Sequence, residues 1–148
     1  MFKRIPMFDP TALGECGPRA FALAYGCEFK EAVDFLNICG LRDHLAAPLG
    51  VEKFKTANSK NGTSVQTLRY AVYALGAERV KIRRCRHLNV RAVLASGTLR
   101  NGRYILAVKE GGWVKNTVNH ALAVVDGVAL DAFDSMDSMI RTVWKFPS

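Results

Sequence analysis

Three residues far apart in the chain, Cys16, His120 and Asp131, are of the types that thiol-based acyl transfer uses. A thiol becomes a nucleophile near neutral pH only as its thiolate, and the start of a helix favours that anion through the positive end of the helix dipole and a nearby imidazolium. Cys16 stands at such a start. In Gly14-Glu15-Cys16-Gly17-Pro18-Arg19-Ala20-Phe21-Ala22-Leu23-Ala24-Tyr25-Gly26, Pro18 suits the first helical turn, an apolar body follows, and Gly26 is the stop. The base must then be a histidine brought in by the fold, since sequence distance does not forbid spatial contact.

Three histidines compete for that role. His44 lies among polar and charged neighbours, and His87 lies in a cluster of arginines that would hold its pKa down. Both read as surface residues. His120 instead opens the apolar run Ala121–Val125, and Asp131 closes the run Val128–Leu130 across the dipeptide Asp126-Gly127, a strong signal for a two-residue hairpin. A tight hairpin pairs residues symmetrically about its turn, so the neighbourhood of His120 falls near Asp131, within reach of an imidazole-to-carboxylate hydrogen bond. On spacing alone the plainer reading stands beside this one: a cysteine that only packs, and a histidine that is only a satisfied strand end.

The elements that must position these groups can be read from the periodicity. A second helix is predicted from about Lys30 to Asn37, with Gly40 as its stop, and a loop from 41 to 62 follows. Thr63 or Ser64 can cap a third helix bearing Val65, Leu68, Ala71, Val72 and Leu75, which Gly76 closes. From there the apolar period changes to two. Strands are predicted at Val80–Ile82, Tyr104–Val108, Ala121–Val125, Val128–Leu130 and the closing Met139–Phe146, with a short helical piece from Val90 to Ala95. Helices first and strands after give an α+β fold, the nucleophile helix packed on a C-terminal antiparallel sheet. No internal repeat interrupts the run, and residues 1–148 are expected to form a single domain.

Composition narrows the function classes. A 49% apolar and 23% charged chain is of the ordinary globular kind, and no apolar run is long enough to span a bilayer. The expectation is a cytoplasmic protein with no membrane partner. The four cysteines, Cys16, Cys27, Cys39 and Cys85, form no CxxC pair, so reduced thiols are expected, with no metal site and no cofactor. The formal charge of +8 favours acidic partners, and the basic residues gather between Arg79 and Arg91, including Lys81, Arg83, Arg84 and Arg86. No aromatic residue interleaves with them to stack on bases. A solvated strand face and a patch for nucleic acid or an acidic protein both remain open there.

The run Glu15-Cys16-Gly17-Pro18-Arg19-Ala20 resembles the (D/E)CGPxA box of papain-like cysteine peptidases, including bacteriocin-processing peptidase domains and small papain-like proteins of phage genomes. Gly62-Thr63-Ser64 with the helix ending at Ala74-Leu75-Gly76, and Gly102-Arg103-Tyr104-Ile105-Leu106, are similar to later segments of that group. The run from His120 to Gly127, followed by Asp131 and the pair Asp134-Ser135, resembles its histidine strand, hairpin and third triad member. The resemblance implies a papain-like fold and a cysteine peptidase or related thiol hydrolase cleaving an amide or isopeptide bond of a protein or peptide. Cys16 would be the nucleophile, His120 the base and Asp131 the orienting residue, with Asp134 in reserve.

Two departures from that pattern stand out. The family's oxyanion glutamine, six residues before the cysteine, is replaced by Pro10, which has no donor. The backbone around Cys16 and Gly17 and the Thr11 hydroxyl would remain, and a slow enzyme is implied, since losing one donor costs on the order of a hundredfold or more. The alternative is a catalytically weak or inactive binding module, phage-derived, that engages a host protein or nucleic acid through its basic surface. The segment Glu110–Asn119 is the second departure. It carries Trp113, either as a wall over the cleft or as a half-buried loop residue.

Overall fold

The computed structural model describes residues 1–8, 15–45, 65–84, 87–110 and 118–148. Among them are four helices, α1 (Cys16–Tyr25), α2 (Phe29–Leu45), α3 (Val65–Ala74) and α4 (Val90–Ala95). Six strands, β1 (Phe2–Arg4), β2 (Glu78–Arg79), β3 (Arg103–Glu110), β4 (Val118–Val125), β5 (Val128–Asp131) and β6 (Met139–Lys145), form one sheet in the order β1-β5-β4-β3-β6-β2. The class is mixed α+β.

Alternation along the central strands builds a core on each face of the sheet. Ile105 and Ala107 of β3, Ala121 and Ala123 of β4, and Trp144 of β6 face α1, α2 and α3, where Ala20, Phe21, Ala24, Leu36, Leu68 and Val72 meet them. Tyr104, Leu106 and Val108 with Leu122 and Val124 face the opposite way, against Val90 and Val93 of α4, Leu99 and Ile140. Helix α1 lies between the sheet and α2, which explains its run of small residues: Ala20, Ala22 and Ala24 are all buried. Gly26 closes α1 at φ 90°, its N–H donating to the carbonyl of Ala22, a left-handed cap that a residue with a Cβ would adopt at a cost. Asn89 caps α4, its side chain accepting from the N–H of Ala92 at 2.8 Å.

Several sequence expectations need correction. Helix α2 does not stop at Gly40 but runs through it to Leu45. Leu36, Cys39 and Gly40 are buried together, and continued packing outweighs the roughly 1 kcal/mol that an interior glycine costs. The strand predicted at Val80–Ile82 is shorter and earlier: β2 pairs with β6 only at Glu78 and Arg79. One further bond joins the Val80 N–H to Val143, and the chain then leaves the sheet, with Arg84 at φ 57°. Val80 and Ile82 still pack on the α4-side core while Lys81 and Arg83 are exposed, so the alternation reported an extended segment without a ladder. The sheet is not wholly antiparallel either. The N-terminal strand β1 runs parallel to β5, Phe2 opposite Ala129 and Arg4 opposite Asp131. A three-residue strand carries too little pattern to announce its partner. The proposed caps Thr63 and Ser64 lie outside the described residues.

Candidate active site

The β4–β5 hairpin is the frame of the site. Asp126 and Gly127 both have positive φ, 49° and 83°, which is the type I′ turn whose twist matches that of the paired strands. Val125 pairs with Val128, Val124 with Ala129 and Ala123 with Leu130. Extending that register by one step sets Asp131 opposite Leu122, so His120 is its diagonal neighbour on the same face, within reach for a long side chain. His120 Nε2 and Asp131 Oδ2 are 2.6 Å apart. As Oδ2 accepts, Nε2 carries the proton, and Nδ1 is the ring nitrogen left for another partner.

That partner is Cys16. Beyond Ala123 no residue of β5 pairs with β4, and Cys16, at the start of α1, meets β4 in that unpaired stretch. The sulfur of Cys16 is hydrogen-bonded to His120 and to the backbone N–H of Ala121. Helix α1 packs on the face that carries Ala121 and Ala123, whereas His120 has the parity of the opposite face, and the two meet in this stretch. Of the polar groups in the cluster, only Cys16 is partly exposed, with His120 at 8% and Asp131 at 0%.

The carboxylate of Asp131 is saturated with donors. Its Oδ1 accepts from Arg19 Nη2 and from the N–H of Ala132, each at 2.8 Å, and its Oδ2 accepts from Ser135 Oγ at 2.6 Å in addition to His120. Arg19 Nη1 donates in turn to Glu15 Oε2 at 2.9 Å, and the same oxygen accepts the N–H of Phe8 at 2.9 Å. Glu15, Arg19 and Ser135 are 1%, 2% and 2% exposed.

Electrostatics follow from this wiring. Burial pushes the Cys16 thiol up, but the hydrogen bond and positive charge of His120, the Ala121 N–H and the charge of Arg19 outweigh burial and hold it below the ordinary thiol value. Burial pulls His120 down, yet the hydrogen bonds and negative charges of Asp131 and Cys16 overcome it and push the imidazole up to about 10. Burial alone would raise Asp131, and His120, Ser135 and Arg19 together bring it below the usual carboxylate value. These shifts favour a proton resting on the imidazole, between the Asp131 carboxylate and a thiol whose ionisation is made easier. Cys27, by contrast, is pushed up by burial and by the carboxylate of Glu31.

Cys16, His120 and Asp131 are thus brought together. Gly17 is buried in the first turn of α1, beside the sulfur, where helical N–H groups lack intrahelical acceptors. Asp134 does not join them. It is exposed, and its Oδ1 accepts the N–H of Met136 at 3.1 Å; the side chain of that pair that reaches Asp131 is Ser135. Lys81, Arg83 and Arg84 are exposed, as is His87. Pro10, Thr11, Cys85, Arg86 and Trp113 lie outside the described residues, as does the side chain of His44. Among the described residues no cluster of His, Cys, Asp and Glu is arranged to hold a metal ion, and no helix is long and apolar enough to cross a membrane.

Sequence reasoning passed over Glu15, Arg19 and Ser135 as working parts. The i, i+4 spacing of Glu15 and Arg19 flanking Cys16 was the available signal, but that spacing is more often a solvent-exposed pair. No protein family, no curated protein and no solved structure matches this chain.

Proposed function

We propose that this protein is a cysteine hydrolase of papain-like organisation, with Cys16 as nucleophile, His120 as general base and acid, and Asp131 as the residue that orients the imidazole. The observation that supports it is the chain of contacts from a partly exposed sulfur through His120 to a buried, donor-saturated carboxylate. In the reaction so read, the Cys16 thiolate adds to an amide or isopeptide carbonyl. The imidazolium then gives its proton to the leaving amine, and water activated by the neutral imidazole releases the thioester. Backbone N–H groups at the start of α1 are the available oxyanion donors. With Pro10 in place of a side-chain donor, turnover is expected to be on the order of a hundredfold or more below that of a fully furnished site.

Iodoacetamide labelling resolved by site, from pH 5 to 9, tests this reading. Cys16 should label ahead of Cys27 and Cys39, with an acid limb below the ordinary thiol range that disappears in His120→Ala. Equal labelling of the three thiols would remove the basis for catalysis.

The exposure of Lys81, Arg83 and Arg84 favours a second reading, a binding module for nucleic acid or an acidic protein. It requires salt-dependent association that weakens in Arg83→Ala/Arg84→Ala.

A further inference from the structure

Cys16, His120 and Asp131 leave one feature of the site without a reason: a guanidinium buried directly behind them. Arg19 is 2% exposed on a helix whose neighbouring positions are Ala20, Phe21 and Ala22. An ionised group there loses its hydration, and an apolar side chain of similar length would fill the space at no such cost.

Its two arms reach different carboxylates. Nη2 donates to Asp131 Oδ1 at 2.8 Å, and Nη1 donates to Glu15 Oε2 at 2.9 Å. With Oδ1 held by Arg19 and by the Ala132 N–H, the Asp131 carboxylate cannot swing, and Oδ2 stays aimed at His120. The same bond ties α1 to the end of β5, across 112 residues of sequence. Because Cys16 opens α1, one turn before Arg19, this tie seats the sulfur against the imidazole. Glu15 keeps the fork from turning, and its own position is fixed by the Phe8 N–H.

We infer that Arg19 is a positioning residue of this site, braced by Glu15, that aims the Asp131 carboxylate at His120 and seats the helix carrying Cys16. The inference rests on the proposed thiol chemistry. It also assigns a task to a planar, forked cation that lysine, a single point donor, can only half perform.

The test is iodoacetamide labelling of Cys16 from pH 5 to 9, with circular dichroism to score folding, in wild type, Arg19→Lys and the charge-paired double variant Glu15→Gln/Arg19→Gln. The double variant removes one buried charge of each sign and keeps amides able to bond to each other, so it guards against misfolding from a stranded charge. In the double variant the acid limb should move up and labelling at pH 6.5 should fall by at least about threefold, with a smaller move in the same direction in Arg19→Lys. A folded double variant whose acid limb coincides with that of wild type overturns the inference. So does failure of both variants to fold, which would make Arg19 a folding contact only. If wild-type Cys16 itself lacks an acid limb below the ordinary thiol range, the proposed function fails first and the inference with it.

Discussion

Replacing Asp131 by asparagine changes little in shape and much in proton placement. The carboxylate accepts four hydrogen bonds, two on each oxygen. An amide has one accepting oxygen, and Arg19 with the Ala132 N–H will claim it, since neither can do anything but donate. The NH2 group then faces His120 Nε2, which can meet it only as an acceptor. The ring proton moves to Nδ1, the nitrogen facing Cys16, and the imidazole can no longer take a proton from the thiol. In the serine triad the equivalent loss of tautomer control costs about 10⁴ in turnover. For the thiol alone the effect can be worked out. Without an imidazolium, the Cys16 thiol loses its strongest lowering partner and rises; for scale, an ordinary thiol at about 8.5 is roughly 3% thiolate at pH 7 and a tenth of that at pH 6. A less stabilised thiolate is intrinsically more reactive, which recovers part of the deficit. The net expectation for iodoacetamide labelling is about tenfold slower at pH 7, with a wider gap at pH 6. Stability should fall by about 3–5 kcal/mol in urea titration, because Arg19 loses a buried counter-charge. A folded Asp131→Asn protein that labels at the wild-type rate at pH 6 would refute the assignment of Asp131 and the tautomer argument together.

The raised pKa of His120, about 10 in the folded protein, ties stability to pH with a definite sign. The contribution is whole below the unfolded histidine value of about 6.5 and is lost as pH rises through the folded value. The depressed thiol of Cys16 works in the opposite direction, so the clean measurement is in Cys16→Ser: its unfolding free energy should decline as pH rises above about 6.5, and His120→Gln in that background should flatten the decline. Gly127→Ala forces a Cβ onto φ 83° in the turn that sets the β4–β5 register, and should cost about 1–2 kcal/mol in thermal or urea unfolding. Asn89→Ala removes the side-chain cap on α4's first turn, the 2.8 Å bond that Asn89 accepts from the Ala92 N–H, with an expected loss of about 1 kcal/mol. Phe21→Ala empties the position where three aromatic rings, Tyr25, Phe35 and Phe146, converge at centroid distances of 5.5–5.7 Å, and should cost about 3–5 kcal/mol.

What the sequence made legible depended on whether a feature is local. The hairpin was readable because Asp126-Gly127 demands a particular turn and the turn dictates its own register; from that register the His120–Asp131 pairing follows without further information. Helix α1 and its glycine stop, and α4 from Val90 to Ala95, were readable for the same reason. Longer-range choices were not. Gly40 is a stop signal by propensity, and only the burial of Leu36 and Cys39 around it shows why α2 continues. The parallel docking of β1 on β5 is decided by which edge is open, which no three-residue pattern encodes.

Arg19 marks the boundary between these two kinds of information. By pattern it is a polar residue on an amphipathic helix, four residues after Glu15, and the simplest account sends both side chains into water. The fold reverses that account because α1 is covered on one side by the sheet and on the other by α2, which leaves Glu15 and Arg19 buried. A charged pair carried into such a place must be completed, and Asp131 completes it from the far end of the chain. The same closure leaves Asp131 with a single direction in which to face His120. Stability and the geometry around Cys16 are therefore coupled through one buried cation, and substitutions at Glu15 or Arg19 should move the two together, whereas substitution of Asn89 should move stability and leave the acid limb of Cys16 labelling where it is.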